Sequence, residues 1–296
     1  MSVFSGLNTL ELGDVFSYTS DNIELASQEF GNPSNTCIIL LHGFPGGPAS
    51  CRDLARHLEQ LDYYVVVPAL RGYWPSASPK SVRSYRMAQM AKDVVDLAKR
   101  LSIDSFHIVG HDLGGTIAWY LACNNIDGLL SCSILSTPHI RALVGSLRHS
   151  NQILRSWYAG LFLLPLIPES LLKLKGGWIA NRYLQNTGLD ESQSTKYIQE
   201  LIDHGRVRSA MNWYRAFTLD LGELTRLTRL VVPSFYIWGG KDSIISRYAA
   251  TSTPAVISGS LGSIEIRSGT HWLMEQDAQR VAELVSGHIS ASSTRS

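Results

Sequence analysis

A glycine-flanked aspartate between a strand-like run and a helical pattern constrains the fold of this 296-residue chain most strongly. In residues 105–116, SFHIVGHDLGGT, an apolar run typical of a buried strand stops at Gly110, and an apolar helical pattern begins at Gly114. Glycine lets the backbone bend sharply and lets a strand and a helix approach closely. The sequence therefore predicts that Asp112, at the bend, is presented to a ligand.

The same frame with serine at the bend, G-x-S-x-G, presents the nucleophile of esterases and lipases. With an aspartate there, the carboxylate of Asp112 can attack a carbon atom and form an ester with the protein itself. The pentapeptide alone leaves a second interpretation open, in which Asp112 only caps the N-terminus of the following helix. Three further features of the chain favour the nucleophile.

The first feature is a glycine-rich turn after an earlier strand-like run. The run at 37–41 is followed by HGFPGG at 42–47, and in hydrolases with such an elbow this turn supplies one backbone N–H of an oxyanion hole. We assign the two oxyanion donors to Phe44 and to Leu113, the residue after Asp112. An ordinary strand-to-helix turn is the alternative.

The other two features supply an acid and a base. Asp242 follows the strand-like run 232–238 and a glycine pair, and His271 follows a short run at 263–267. Because histidine titrates near neutral pH, His271 is the candidate general base. Asp242 would fix the tautomer of His271 and stabilise its charged form. The chain order Asp112, Asp242, His271 is then nucleophile, acid and base.

These motifs resemble one branch of a known superfamily. HGFP at 42–45 together with GHDLGG at 110–115 is similar to the aspartate-nucleophile branch of the α/β-hydrolase superfamily, to which epoxide hydrolases and some dehalogenases belong. The resemblance extends over roughly residues 15–289.

The alternation of strand and helix patterns gives the fold class independently. It implies an α/β fold with a mainly parallel, doubly covered sheet, whose ligands bind beyond the carboxyl ends of the strands. The predicted elements are a hairpin at 14–30, strands at 37–41, 63–68, 106–109, 131–135, 232–238 and 263–267, and helices at 49–61, 85–101, 114–123 and near 275–288.

The strand pattern disappears between residues 137 and 224. Apolar residues recur there at helical spacing, as in Ile153, Trp157, Leu161 and Leu164. We predict a helical cap at 138–224, inserted between two parts of the hydrolase core at 1–137 and 225–296. Its most apolar stretch, residues 161–168, is too short to span a bilayer and is expected to form cap core or an apolar wall for the substrate.

Two cap fragments resemble soluble epoxide hydrolases. NWYR at 212–215 is similar to the motif whose tyrosine contacts the epoxide oxygen, and SWY at 156–158 is similar to the segment with the partner tyrosine. The resemblance implies these roles for Tyr214 and Tyr158. Phenols are protonated at neutral pH, so they can donate to an alkoxide and protonate it as it forms. Packing in the cap core is the alternative role.

Two departures from the family pattern affect the interpretation. Leu113 stands where many epoxide hydrolases and haloalkane dehalogenases have tryptophan and where fluoroacetate dehalogenases have arginine. The missing indole donor argues against a haloalkane dehalogenase, and the missing arginine removes the carboxylate clamp of a fluoroacetate dehalogenase. In the loop 68–73, PALRGY, Ala69 replaces an aspartate of the family, and we expect this loop to affect packing or the pocket wall more than catalysis.

The predicted function is therefore hydrolysis of an epoxide to a vicinal diol through an ester on Asp112. The alternatives are a dehalogenase with the same nucleophile and a non-catalytic ligand receptor on the same fold. The expected partner is a small apolar epoxide, and the scheme requires no cofactor and no metal. Substrate identity and oligomeric state stay open, with a homodimer as one option.

Composition bounds the partners and the location. The net charge of +1 gives no electrostatic reason to expect nucleic acid or an anionic membrane as a partner. The N-terminus lacks the pattern of a signal peptide, and no segment is expected to insert into a membrane. The four cysteines lack metal-ligand spacing, and their use fits a cytoplasmic protein.

Overall fold

The centre of the computed structural model, which describes residues 14–293, is an eight-stranded sheet. Its strands are β1 (Asp14–Ser20), β2 (Ile23–Phe30), β3 (Cys37–Leu41), β4 (Tyr64–Pro68), β5 (Phe106–His111), β6 (Leu129–Leu135), β7 (Ser234–Gly239) and β8 (Leu261–Ile266). They lie in the order β1-β2-β4-β3-β5-β6-β7-β8. The pairs β1–β2 and β2–β4 are antiparallel and the remaining pairs are parallel. The predicted α/β class is confirmed.

The parallel strands are apolar on both faces because helices cover both faces of the sheet. Every residue of β3 is buried, and successive residues enter opposite layers of the core. Ile38 and Leu40 pack in one apolar cluster, whereas Ile39 and Leu41 pack in the other. This two-sided burial explains why the sequence of β3 is a continuous apolar run.

The helices before the long insertion are α1 (Arg52–Gln60), α2 (Met87–Arg100) and α3 (Leu113–Cys123). Two predicted helix starts were too early. A 3-10 helix, Gly47–Cys51, precedes α1, and another, Val82–Tyr85, precedes α2. Arg86 separates the latter from α2 because its backbone is extended, with φ −62° and ψ 151°.

Residues 138–224 connect β6 to β7 and contain helices without a strand. The helices are α4 (Ile140–His149), α5 (Gln152–Arg155), α6 (Trp157–Phe162), α7 (Ile167–Lys173), α8 (Trp178–Asn186), α9 (Glu191–Asp203) and α10 (Val207–Leu224), with a 3-10 helix at Leu174–Gly177. We refer to residues 138–224 as the helical segment.

The chain ends with α11 (Arg247–Val256), α12 (Leu273–Gln276) and α13 (Ala278–Ser293). Helix α11 was not predicted, because it buries only small side chains and contains Pro254. The predicted closing helix is divided at Asp277, whose φ of −126° interrupts the helical backbone.

The chain termini lie outside the described residues. They are residues 1–13 and 294–296. The start of the predicted first core part and the prediction of no signal peptide therefore concern residues outside the described range. Within residues 14–293, none of the helices combines the length and the hydrophobicity that a membrane span requires.

Candidate active site

Asp112 stands at a sharp bend between β5 and α3, as the sequence predicts. Its backbone has φ 52° and ψ −122°, a conformation that costs about 1–3 kcal/mol for a residue other than glycine. The flanking glycines serve close approach, since a Cβ atom on Gly110 would overlap the carbonyl oxygen of Gly114. A Cβ atom on Gly114 would meet the backbone of Leu41 and His42. Strand and helix therefore fix the position of Asp112.

The side chain of Asp112 does not cap α3, so the capping interpretation is wrong. Its Oδ1 accepts a hydrogen bond from the Phe44 N–H at 3.0 Å, and its Oδ2 lies 3.4 Å from His271 Nε2. Burial by itself raises the pKa of Asp112, but the hydrogen bond and charge of His271 outweigh burial and lower it. The carboxylate is therefore ionised and directed away from the helix.

His271 lies between two carboxylates. Its Nδ1–H donates to Asp242 Oδ2 at 2.9 Å, and its Nε2 faces Asp112. Burial lowers the pKa of His271, but the charges and hydrogen bonds of Asp242 and Asp112 outweigh it and raise the pKa to about 10. The second oxygen of Asp242 accepts from the N–H groups of Ile244 and Ile245 at 2.7 and 2.8 Å, which fixes its orientation.

The predicted oxyanion donors lie beside the carboxylate of Asp112. The Phe44 N–H already binds Asp112 Oδ1, the oxygen that would carry charge if the carboxyl group were attacked. Leu113 is the first residue of α3, so its N–H is one of the donors that a helix leaves unpaired at its N-terminus.

Two further histidines near the site are neutral hydrogen-bonders. Burial lowers the pKa of His42 to about 3 and that of His111 to about 4. His42 Nε2 accepts from the Leu70 N–H at 3.1 Å, and His111 Nε2 donates to the carbonyl oxygen of His271 at 2.8 Å. Both side chains connect loops that carry the site.

The helical segment contributes Tyr158 from α6 and Tyr214 from α10, and both line the same cavity as Asp112 and His271. Their ring centroids are 6.1 Å apart, and Tyr214 packs edge-on against Phe44 at 5.5 Å. Burial, reinforced by the charge of Asp112, raises the pKa of each phenol well above its ordinary value. Both hydroxyl groups therefore keep their protons at neutral pH.

The cavity has a volume of about 180 Å³ and is mostly apolar. Its polar groups are the carboxylate, the imidazole and the phenols. The core contributes Phe44, Pro45, Asp112, Ile244, His271 and Trp272, and the helical segment contributes Trp157, Tyr158, Leu161, Phe162, Pro168, Leu171, Leu172, Ile179, Ala180, Tyr183, Leu184, Ile198 and Tyr214. In the described part of the chain, no group of three or more His, Cys, Asp or Glu side chains is arranged to hold a metal ion.

The neighbours of Tyr214 anchor its helix. Trp213 Nε1 donates to the carbonyl oxygen of Arg71 at 2.6 Å, and Arg215 forms an ion pair with Glu169 of α7 at 2.8 Å. The Arg71 side chain is itself paired with buried Asp93. The loop at 68–73 therefore packs against α10 without lining the cavity, which agrees with the predicted effect on packing and not with the alternative of a pocket wall.

Sequence reasoning missed Tyr183, a third phenol in the cavity wall. It lies on α8, and its ring contacts Trp157 and Tyr158 with centroids 5.8 and 5.7 Å apart. No motif surrounds Tyr183, and only its amphipathic helix could have indicated a buried side.

Sequence reasoning also missed Glu275 on α12, one helical turn beyond His271. The Tyr197 hydroxyl donates to Glu275 Oε1 at 3.3 Å, while the buried Oε2 has no partner. Burial raises the pKa of Glu275 to about 8. The spacing of four residues after His271 is the only sequence signal that points to it.

Comparisons with known proteins agree with this geometry. Residues 36–278 match the family described as alpha/beta hydrolase fold. The AB hydrolase superfamily protein YfhM of Bacillus subtilis is 30% identical over 278 residues, which are 90% of this chain and 94% of that protein. Epoxide hydrolase 3 of Xenopus tropicalis is 28% identical over 270 residues, covering 86% of this chain and 71% of that protein.

A solved structure shows the same fold. The crystal structure of Bacillus megaterium epoxide hydrolase in complex with an inhibitor superposes with a TM-score of 0.80 at 20% identity. The match covers 93% of this chain and 100% of the other chain. The chain therefore belongs to the alpha/beta hydrolase fold family, and within it resembles epoxide hydrolases.

Proposed function

We propose that this protein is an epoxide hydrolase that converts a small apolar epoxide into a vicinal diol through an ester on Asp112. One observation carries the proposal: a single apolar cavity is lined by an ionised carboxylate and its histidine on one side and by two protonated phenols on the other. The names of related proteins add support. In this proposal residues 138–224 are the cap, between core parts at 1–137 and 225–296.

In the first half-reaction, Asp112 attacks an epoxide carbon and the carbon–oxygen bond of the ring breaks. The departing oxygen takes a proton from Tyr158 or Tyr214, which leaves a phenolate. A phenol suits this step because it holds its proton in the resting cavity yet is far more acidic than the alcohol that forms. The product is a hydroxyalkyl ester of Asp112.

Forming the ester prepares the second half-reaction. The negative charge of Asp112 is one of the causes that raise the pKa of His271, and esterification removes that charge. The pKa of His271 then falls, so the imidazole gives its proton to the phenolate, which restores the phenol, and the neutral imidazole can act as a base. The chemistry itself therefore converts His271 from an ion-pair partner into a proton acceptor.

Water completes the reaction. It gives one proton to His271 and adds its hydroxyl group to the ester carbonyl, and the N–H groups of Phe44 and Leu113 stabilise the resulting oxyanion. Collapse of this intermediate breaks the ester. The diol oxygen takes the proton left on the former water oxygen, Asp112 returns as a carboxylate, and His271 keeps the proton that it took from water, as in the resting site. Asp242 keeps His271 oriented throughout.

Trapping the ester tests the proposal. In His271→Gln, the first half-reaction proceeds but hydrolysis is blocked, so mass spectrometry after addition of styrene oxide should find the substrate mass on the peptide that contains Asp112. The double variant Asp112→Asn with His271→Gln is the matched control and should carry no adduct. A single turnover of the unchanged enzyme in heavy-oxygen water should label Asp112. Label only in the diol would overturn the two-step scheme.

The same substrates separate the alternatives. Diol formation without halide release supports the epoxide hydrolase, whereas halide release from a haloalkane without epoxide turnover would identify a dehalogenase. Saturable binding with no turnover of either class would identify a receptor. Cytoplasmic location and a homodimer remain predictions from the sequence.

A further inference from the structure

The helical segment exposes large apolar side chains around the cavity. We define six of them as the rim: Leu154, Trp157, Leu166, Ile167, Trp178 and Ile179, each of which is between 44% and 73% exposed. Large exposed apolar patches on a protein surface mark interaction sites, whereas single exposed apolar residues are ordinary. Part of the rim belongs to the strongly apolar stretch at 161–168, of which only Leu161, Phe162 and Pro168 line the cavity.

The rim borders the entrance to the cavity. Trp157 and Ile179 are exposed and also line the cavity, so they lie where it opens to the outside. The rim residues come from α5 to α8, and each of these helices packs against the next along the chain. A surface that covered the rim would therefore face the entrance.

The part of the chain that contains the rim is rich in positive charge. Between residues 140 and 186 the chain has six basic side chains, Arg141, Arg148, Arg155, Lys173, Lys175 and Arg182, and one acidic side chain, Glu169. Glu169 forms an ion pair with Arg215. Arg155 donates to the carbonyl oxygens of Asp242 and Ile245, and the other five basic residues are exposed.

None of the six basic side chains forms an ion pair with a carboxylate among the described residues. The net charge of +1 therefore hides an asymmetry, because the rest of the chain has more acidic than basic residues. The expectation that charge gives no reason for contact with an anionic membrane holds for the whole chain but not for this surface.

We propose that the rim and its basic neighbours dock on an anionic lipid surface, with the cavity entrance facing the bilayer. Tryptophan and aliphatic side chains enter the boundary between headgroups and acyl chains, while lysine and arginine contact anionic headgroups. A second copy of this chain would be a poorer occupant, because two identical positive surfaces repel each other. Docking would let an apolar ligand pass from the lipid into the cavity without crossing water.

Vesicle sedimentation tests this proposal without depending on the reaction. The full chain should sediment with phosphatidylcholine vesicles that contain phosphatidylglycerol, should bind pure phosphatidylcholine far less, and should be released by salt. Lys173→Glu with Lys175→Glu should weaken binding by about tenfold or more. Lys99→Glu with Arg100→Glu, an equal charge change on exposed positions of α2, is the matched control and should change binding less than about twofold.

A further double variant tests the contribution of the apolar rim to vesicle binding. Leu166→Gln with Trp178→Gln keeps the charge and lies outside the cavity wall, and it should weaken binding several-fold at every salt concentration. Circular dichroism and thermal unfolding should show that both double variants remain folded.

Three results would overturn the proposal. Equal binding to neutral and anionic vesicles would remove the charge argument, and equal loss in the α2 control would show that total charge matters rather than the rim. A dimer of the unchanged protein that Trp178→Gln converts into a monomer, measured by light scattering, would show that the rim is covered by a second copy.

Discussion

The two walls of the cavity are held in place by different forces. On the core side, Asp112, Asp242 and His271 are joined to one another and to backbone N–H groups by contacts of 2.7 to 3.4 Å. On the helical side, the rings of Tyr158 and Tyr214 pack at centroid distances of 5.0 to 6.1 Å from their aromatic neighbours, mostly edge-on.

The two kinds of contact give the two walls different roles. Charge-assisted hydrogen bonds are short and directional, so the sheet edge holds charged groups in one geometry. Aromatic contacts are weaker and less directional, so the helical wall sets the shape of the cavity and adds hydroxyl groups to it. The following predictions test whether chemistry depends on the core wall and how much the helical wall adds.

The largest effect is expected for Asp112→Asn. The amide keeps the shape of the side chain but cannot attack carbon, so turnover should fall by about 10⁴-fold or more. Steady-state kinetics with an epoxide measures it, with Asp104→Asn, an exposed aspartate before β5, as the control. If the variant kept more than about 1% of the activity, the core wall would not supply the nucleophile.

A smaller effect is expected on the helical wall. Tyr158→Phe and Tyr214→Phe should each slow ester formation by about 10- to 100-fold, and the double variant by about 10²- to 10⁴-fold, because the alkoxide loses its proton donors. Single-turnover kinetics should show ester hydrolysis unchanged. Tyr18→Phe removes a buried hydroxyl that has no hydrogen-bond partner and should change neither step. Equal rates for all variants would mean that the helical wall sets only the shape of the cavity and donates no proton in the reaction.

The last effect is on stability rather than on turnover, and it concerns Glu275, a buried residue close in the chain to His271. Burial raises the pKa of Glu275 to about 8 from 4.5, so between these values the folded protein binds more protons than the unfolded chain. Glu275 therefore contributes a fall in the free energy of unfolding as the pH rises through this window, by up to about 1.4 kcal/mol per pH unit.

Glu275→Gln should remove the part of this slope that Glu275 contributes, because the amide does not titrate, and should leave the part above about pH 6.5 that comes from the raised pKa of His271. Urea unfolding between about pH 5 and about pH 8 measures it, and Glu283→Gln, on the exposed side of α13, should leave the slope unchanged. Parallel curves for Glu275→Gln and the unchanged protein would mean that Glu275 is ionised in the folded state.

Much of the fold could be read from local patterns. A strand-like run that ends in glycine is a local signal, and it gave β3, β5 and the bend at Asp112 almost to the residue. Parallel strands have their carboxyl ends at one edge of the sheet, so the chain order alone predicted that Asp112, Asp242 and His271 would meet. Helix α11 was missed because its buried residues are small and give no apolar stripe.

The sequence by itself therefore determined the class of fold, the bend and the meeting of the acid, base and carboxylate, because each depends on neighbours in the chain or on strand direction. Only the tertiary structure decided that Tyr183 joins the cavity wall and that Glu275 is buried beside Tyr197. These contacts join residues far apart in sequence. Their formation depends on how helices pack on one another, and side-chain packing leaves no periodic signal in the chain.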